Sequence, residues 1–164
     1  LSALRILPEG TLGRVFADHM IANNLDPAAL PSRPANDPLS YVLAHSYETH
    51  DIWHVITGFS TDVIGEGGLQ AFYAAQVPGR ISLSIVAAIL LNTTLTPGGY
   101  AERDARLQAI ARGWLLGRRA RPLFGVRWNE LWETPLTAVQ SRFDVDVTGV
   151  DELLRTWSVR RHAD

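Results

Sequence analysis

Apolar positions along this chain recur at helical spacing, and no stretch sustains the every-second-residue alternation, flanked by hairpin signals, that a half-buried strand requires. The pattern predicts an all-α fold, a single-domain helical bundle of about six to eight helices spanning 1–164. The first helix is predicted from about Gly10 to Asn23, with Leu12, Val15, Phe16, His19 and Met20 inward. Asn24 to Asn36, with Pro27, Pro31 and Pro34, reads as a loop. Asp37-Pro38 supplies an N-cap and a first-turn proline for a helix running to about Thr57, along which Leu43, Tyr47, His50 and His54 fall on one inward line. Gly58 stops that helix. Ser60, Thr61 and Asp62 are N-cap candidates for the next, which runs to Gln76 and turns Val63, Glu66, Leu69 and Tyr73 inward.

Val77-Pro78-Gly79 breaks the pattern. Ile81 to Leu91 is apolar nearly all round, which predicts either a central core helix or one wall of a lipid pocket. Thr96-Pro97-Gly98-Gly99 ends it, and a long helix follows from about Tyr100 to Arg119 with Leu107, Ile110, Trp114 and Leu115 inward. Asn129 to Glu133 leads into a helix started by Thr134-Pro135 and ending near Phe143. Thr148 is placed to cap a last helix reaching about Val159. Repeats, low-complexity segments and an internal domain boundary are not evident.

Composition narrows the chemistry. With 164 residues, 46% hydrophobic and 20% charged, the chain can bury a real core and does not read as disordered. It has no cysteine, so a metal would be held by nitrogen and oxygen donors only. A net charge of −2 gives no reason to expect nucleic acid. All 15 basic residues are arginine. The residues from Leu1 onward do not read as a signal segment, and the apolar run is too short to span a bilayer.

The candidate site is the stretch His50-Asp51-Ile52-Trp53-His54 with Glu66 beyond it. Histidines four residues apart on a helix aim their ring nitrogens at a common point, and the reversal at Gly58 can return Glu66 toward them. An inward carboxylate needs a compensating cation. Two histidines and a carboxylate with open positions suit a catalytic zinc or a non-haem iron, with Asp51 either a further ligand or the acceptor that orients a ring N–H. The protease signature His-Glu-x-x-His differs at its second position, which here is Asp51. Gly65, Gly67 and Gly68 imply that another helix, or a substrate, comes very close. Arg112, Arg118, Arg119, Arg121 and Arg127 read as a solvated helix end, with anionic lipid head groups as the alternative. Trp114, Trp128, Trp132 and Trp157 are expected in the core, Trp53 beside a pocket, and His19, His45 and His162 without special roles.

His50-Asp51-x-x-His54, followed by Gly65-Glu66, resembles the signature of the Coq-four family of coenzyme Q (ubiquinone) biosynthesis proteins. Pro8 to Gly13, Tyr41-Val42, Glu48, Gly117 to Ala120 and Leu131-Trp132-Glu133 extend the likeness from about Pro8 to about Val145. His45 and Tyr47 stand where the family typically has arginine, and Asn129, next to Glu130, where it has an acid; these departures bear on head-group recognition. The resemblance implies a metal-dependent enzyme that replaces the ring carboxylate of a polyprenylated hydroxybenzoate by a hydroxyl. It implies a divalent metal on His50, Asp51, His54 and Glu66: zinc, or iron, manganese or cobalt if redox-active. A groove for a polyprenyl tail is expected along Trp53, Leu69, Tyr73, Ile85 and Ile89. The alternative is a non-catalytic polyprenyl-lipid scaffold with a structural metal. Implied partners are a polyprenylated aromatic or isoprenoid lipid, other quinone-biosynthesis enzymes, a membrane surface held peripherally, and a second copy in a homodimer. Location would be cytoplasmic at the inner membrane in a bacterium, or the matrix face of the mitochondrial inner membrane in a eukaryote.

Overall fold

Capping residues fix where the helices begin. Thr11 accepts the Arg14 N–H at 3.4 Å to start α2 (Leu12–Ala22), and Asp37 accepts the Ser40 N–H at 3.0 Å to start α3 (Pro38–Thr57). Gly58, at φ +70°, ends α3 in the left-handed conformation that favours glycine. Asp62 accepts the Gly65 N–H at 2.8 Å and opens α4 (Val63–Gln76). These boundaries agree with the sequence reading. The structure is a computed structural model that describes residues 1–26 and 36–160. Pro27, Pro31, Pro34 and His162 lie outside the described residues, as does the side chain of Trp157.

The fold is all-α; among the described residues there is no strand, only an isolated bridge between Thr11 and Pro135. Four elements or ends differ from the expected pattern. A short α1 (Ser2–Arg5) precedes α2, and α5 (Ile81–Leu95) runs four residues further than expected. Thr96-Pro97 does not simply terminate α5: Thr96 accepts the Gly99 N–H at 3.0 Å and starts a short α6 (Pro97–Ala101) before α7 (Arg103–Arg119). A 3₁₀ turn at Trp128–Glu130 and α8 (Leu136–Arg142) follow. Asp146, rather than Thr148, then caps α9 (Val147–Arg160), accepting the Gly149 N–H at 2.9 Å.

The chain forms two compact units. The first takes residues 1–56 and 123–142. Here the start of α2 is tied to the segment before α8: the Leu12 and Gly13 N–H groups donate to the Thr134 and Trp132 carbonyls at 2.8 and 2.9 Å, and Leu136 donates back to Gly10 at 2.8 Å. A side chain at Gly13 would press on Trp132, whose ring instead stacks on Phe16 at 5.3 Å. Leu12, Ala17, Met20, Trp53, Ile56, Leu123 and Val139 are buried in this unit, whereas Tyr47, expected inward, is 48% exposed. Tyr47 sits a full turn before His50, where α3 has already turned that edge to solvent.

The second unit takes residues 57–122 and 143–164 and is centred on the pairing of α4 with α7. Glycines make that pairing close. A Cβ at Gly113 would overlap the Gly68 carbonyl, and one at Gly117 would lie 2.8 Å from the Phe72 carbonyl oxygen. Leu69, Phe72 and Leu116 fill the interface, and Gln76 donates to the Gly117 and Ala120 carbonyls at 2.7 and 3.2 Å. The inward face of α7 is therefore Arg106, Gly113, Leu116 and Gly117; Leu107 and Trp114, predicted inward, are 51% and 46% exposed, and Ile110 and Leu115 are half-buried. Val63, also predicted inward, is exposed because it occupies the first turn of α4, outside this interface. The glycine cluster is explained by protein, not by room for a substrate: Gly65 faces the Ser60 backbone and Gly68 the Phe59 ring.

Candidate metal centre

The site is built on the last two turns of α3. His50 and His54 stand one turn apart, their Nε2 atoms 3.3 Å from each other and their ring planes at 88°. Two donors about 2.0–2.1 Å from a tetrahedral ion stand about 3.3 Å apart. The separation thus fits a shared ion, as it fits a hydrogen bond between one protonated and one bare nitrogen. His50, Asp51 and His54 each offer a ligand atom within 4.8 Å of the others. His54 is 1% exposed while His50 and Asp51 are half-buried, so the centre has one deep and two more accessible members. Two donors on opposite sides of one ion span about 4.2 Å. Asp51 can therefore ligate after a small side-chain rotation or act through a ring N–H or water. The donor set, imidazole and carboxylate without thiolate, suits zinc, iron, manganese or cobalt.

Glu66 is half-buried in the first turn of α4, where a carboxylate is favoured by the helix dipole. It belongs to the second unit, and the trio brought together on α3 is His50, Asp51 and His54.

His19, expected to be idle, lies against the centre. Its ring stacks on that of His54 at 5.8 Å with planes at 24°. Burial pushes its pKa down, the neighbouring His54 adds to that, and Asp51 opposes it. Sequence spacing could not have shown this, because His19 arrives from α2; the available signal was an imidazole on the apolar face of that helix. His45 also has a role. Its Nε2 accepts the Gly125 N–H at 2.9 Å, and its ring meets Phe124 edge-on at 4.6 Å, so it pins the turn after Leu123. Burial lowers its pKa against a smaller opposing pull from Glu48.

The expected groove residues divide. Ile85 and Ile89 line an open groove of about 620 Å³ on the second unit with Val63, Arg80, Ile81, Ser84, Ala88 and Asn92. Leu69 and Tyr73 are buried on α4 and do not line it, and Trp53 is fully buried in the first unit. Helix α5 is not a buried core helix: Thr93 is its buried residue, while Ile81, Leu83, Ile85 and Leu91 are exposed. The arginines also separate. Arg112 is held by Asp151 at 2.6 Å, the Thr57 carbonyl at 3.2 Å and the face of Phe59 at 4.5 Å, whereas Arg118 and Arg119 are exposed at the end of α7. Arg121 pairs with Asp144 and Arg127 with Glu130.

Residues 1–148 match the family model described as coenzyme Q (ubiquinone) biosynthesis protein Coq4. The chain is 31% identical over 152 residues to the mitochondrial ubiquinone biosynthesis protein COQ4 homolog of Rattus norvegicus, a match covering 88% of this chain and 54% of that protein. With the Aedes aegypti homolog it shares 30% identity over 155 residues, 92% of this chain and 54% of that protein. The chain thus spans about half the length of the curated relatives it matches. A crystal structure of a Nostoc punctiforme PCC 73102 protein assigned to ubiquinone biosynthesis is similar with TM-score 0.77 and 34% identity, covering 88% of this chain and 67% of that one.

Proposed function

This chain belongs to the Coq4 family of coenzyme Q (ubiquinone) biosynthesis proteins, and on that premise we propose that it is a metal-dependent enzyme acting on a polyprenylated aromatic acid. The reaction replaces the ring carboxyl by hydroxyl. Written in balance, the aryl carboxylic acid, dioxygen and an external two-electron, two-proton donor give the phenol, carbon dioxide, water and the oxidised donor. The observation that supports the reading best is the pair of Nε2 atoms 3.3 Å apart beside the Asp51 carboxylate, half-enclosed on one helix. A divalent metal bound there would supply Lewis acidity toward a carboxylate or phenolate oxygen and, if iron, manganese or cobalt, one-electron chemistry. His50 and His54 would hold it and Asp51 would ligate or orient. Glu66 enters as a ligand on the sequence motif. The exposed apolar face of α5 and its groove support an isoprenoid tail as part of the substrate. Among the described residues no helix is long and apolar enough to cross a membrane.

Element analysis of the purified protein, followed by an assay of ring decarboxylation with a prenylated hydroxybenzoate, tests this. His54→Ala and His50→Ala should each lose stoichiometric metal while keeping helical circular dichroism, and Glu66→Gln should lose turnover. Equal metal in parent and both histidine variants overturns the centre. Bound metal with no turnover for any plausible ion would turn the assignment to a lipid-holding scaffold.

A further inference from the structure

The tautomer of His19 follows from its contacts with Asn23. Asn23 Nδ2 donates to the His19 carbonyl oxygen at 2.8 Å, which fixes that atom as the amide nitrogen rather than the oxygen. The same nitrogen lies 3.4 Å from His19 Nδ1, so Nδ1 is the acceptor and the ring's proton is on Nε2. That Nε2 is buried and, among the described residues, has no hydrogen-bond partner. Buried donors left unmatched are uncommon and costly, and a bound group that accepts the hydrogen is one way to satisfy them. The ring bearing this one is stacked on His54, a member of the candidate metal centre.

We infer that the Nε2–H of His19 is the hydrogen-bond donor for an oxyanion seated at the His50–Asp51–His54 centre, namely a carboxylate oxygen of an aromatic acid. The inference rests on the metal reading above and deepens it. The metal would hold one oxygen of the anion, and His19, which is not a ligand because its accepting nitrogen is already engaged by Asn23, would fix the anion's orientation. His19 is a positioning residue in this scheme, and Asn23 sets its tautomer.

The test uses cobalt(II) as both metal and chromophore, with benzoate as the anion. Parent, His19→Phe, His19→Gln and Asn23→Leu are loaded with cobalt, and benzoate is titrated while the visible spectrum is followed; circular dichroism monitors the fold. His19→Phe keeps the ring shape without the donor. It should take up cobalt with affinity within about threefold of parent yet bind benzoate about tenfold more weakly, the loss expected for one hydrogen bond to a charged acceptor. His19→Gln, whose amide N–H reaches a similar point, should recover most of that loss. Asn23→Leu, which leaves His19 intact but frees its tautomer, should weaken benzoate severalfold. Unchanged benzoate affinity in His19→Phe or in Asn23→Leu overturns the proposal. Loss of cobalt itself in His19→Phe also overturns it, since His19 would then be a ligand or a support of the metal. A parent that binds no cobalt identifies the failure as that of the metal centre, and the inference falls with it.

Discussion

Alanine at Gly113 is the most demanding test of how the second unit is packed. Placed at the α4–α7 crossing, the new Cβ would overlap the Gly68 carbonyl oxygen and sit 2.7 Å from its carbon, with both partners backbone atoms that cannot rotate away. Carbon contacts are comfortable at about 3.5–4.0 Å, so the helices must part by about 1 Å. Replacing a helical glycine by alanine contributes up to about 1 kcal/mol of stability, while overpacking a close contact costs about 1–3 kcal/mol and more where the backbone must move. The packing term wins, and the net expected loss is about 2 kcal/mol, or about 4–8 °C in Tm for a chain of this size. Gly67 is the control. Its added Cβ would meet Ile89 and Ile110 side chains at 3.5 and 3.6 Å, ordinary contact distances, so Gly67→Ala should gain about 0.5–1 kcal/mol. Urea unfolding followed by circular dichroism, with the slope of the transition checked for constancy, measures both. A Gly113→Ala protein as stable as its parent, or a Gly67→Ala protein equally damaged, would refute the claim that one backbone contact sets the spacing of α4 and α7.

Two further outcomes are expected. Because burial holds His19 and His45 below the ordinary imidazole value of 6.5, the unfolded chain takes up protons before the folded one as pH falls; their stabilising contribution is complete above about 6.5 and is lost as the pH drops from there toward the folded-state values. The urea midpoint should decline between about pH 7 and pH 5, and less steeply in His45→Gln, which keeps an acceptor for Gly125; equal slopes would remove His45 from the account. Arg112→Met should cost about 2 kcal/mol, since it strips the Thr57 carbonyl, Asp151 and the Phe59 face of a shared partner, and Arg112→Lys about half as much, with matching losses in the two variants showing that the guanidinium fork is irrelevant.

Where elements begin and end was legible because caps are local. Asp37, Gly58 and Asp62 announce themselves within three or four residues of the atoms they satisfy. Which face of α7 points inward was not. The apolar residues Leu107 and Trp114 drew the expected stripe, but the contact with α4 is made by Gly113 and Gly117, whose value is the absence of a side chain and which no hydrophobicity pattern registers. Helix α5 posed the opposite problem: a stretch apolar all round reads as buried or as an exposed binding surface with equal force, and only its surroundings decide. At the site, His50, Asp51 and His54 were readable because one helix carries them, while His19 was missed because its partnership crosses from α2 to α3.

The end of α3 has a consequence for the order in which the protein is made. Its final carbonyls are satisfied from far along the chain: Gln140 donates to Ile56 at 2.8 Å and Arg112 to Thr57 at 3.2 Å, across 84 and 55 residues. A ribosome that has delivered the histidine pair has not yet delivered either donor, so the turn bearing His54 is finished only when the later residues arrive. On the metal reading proposed above, a translation product halted before Arg112 would carry His50, Asp51 and His54 intact in sequence while lacking both anchors of the helix end that presents them.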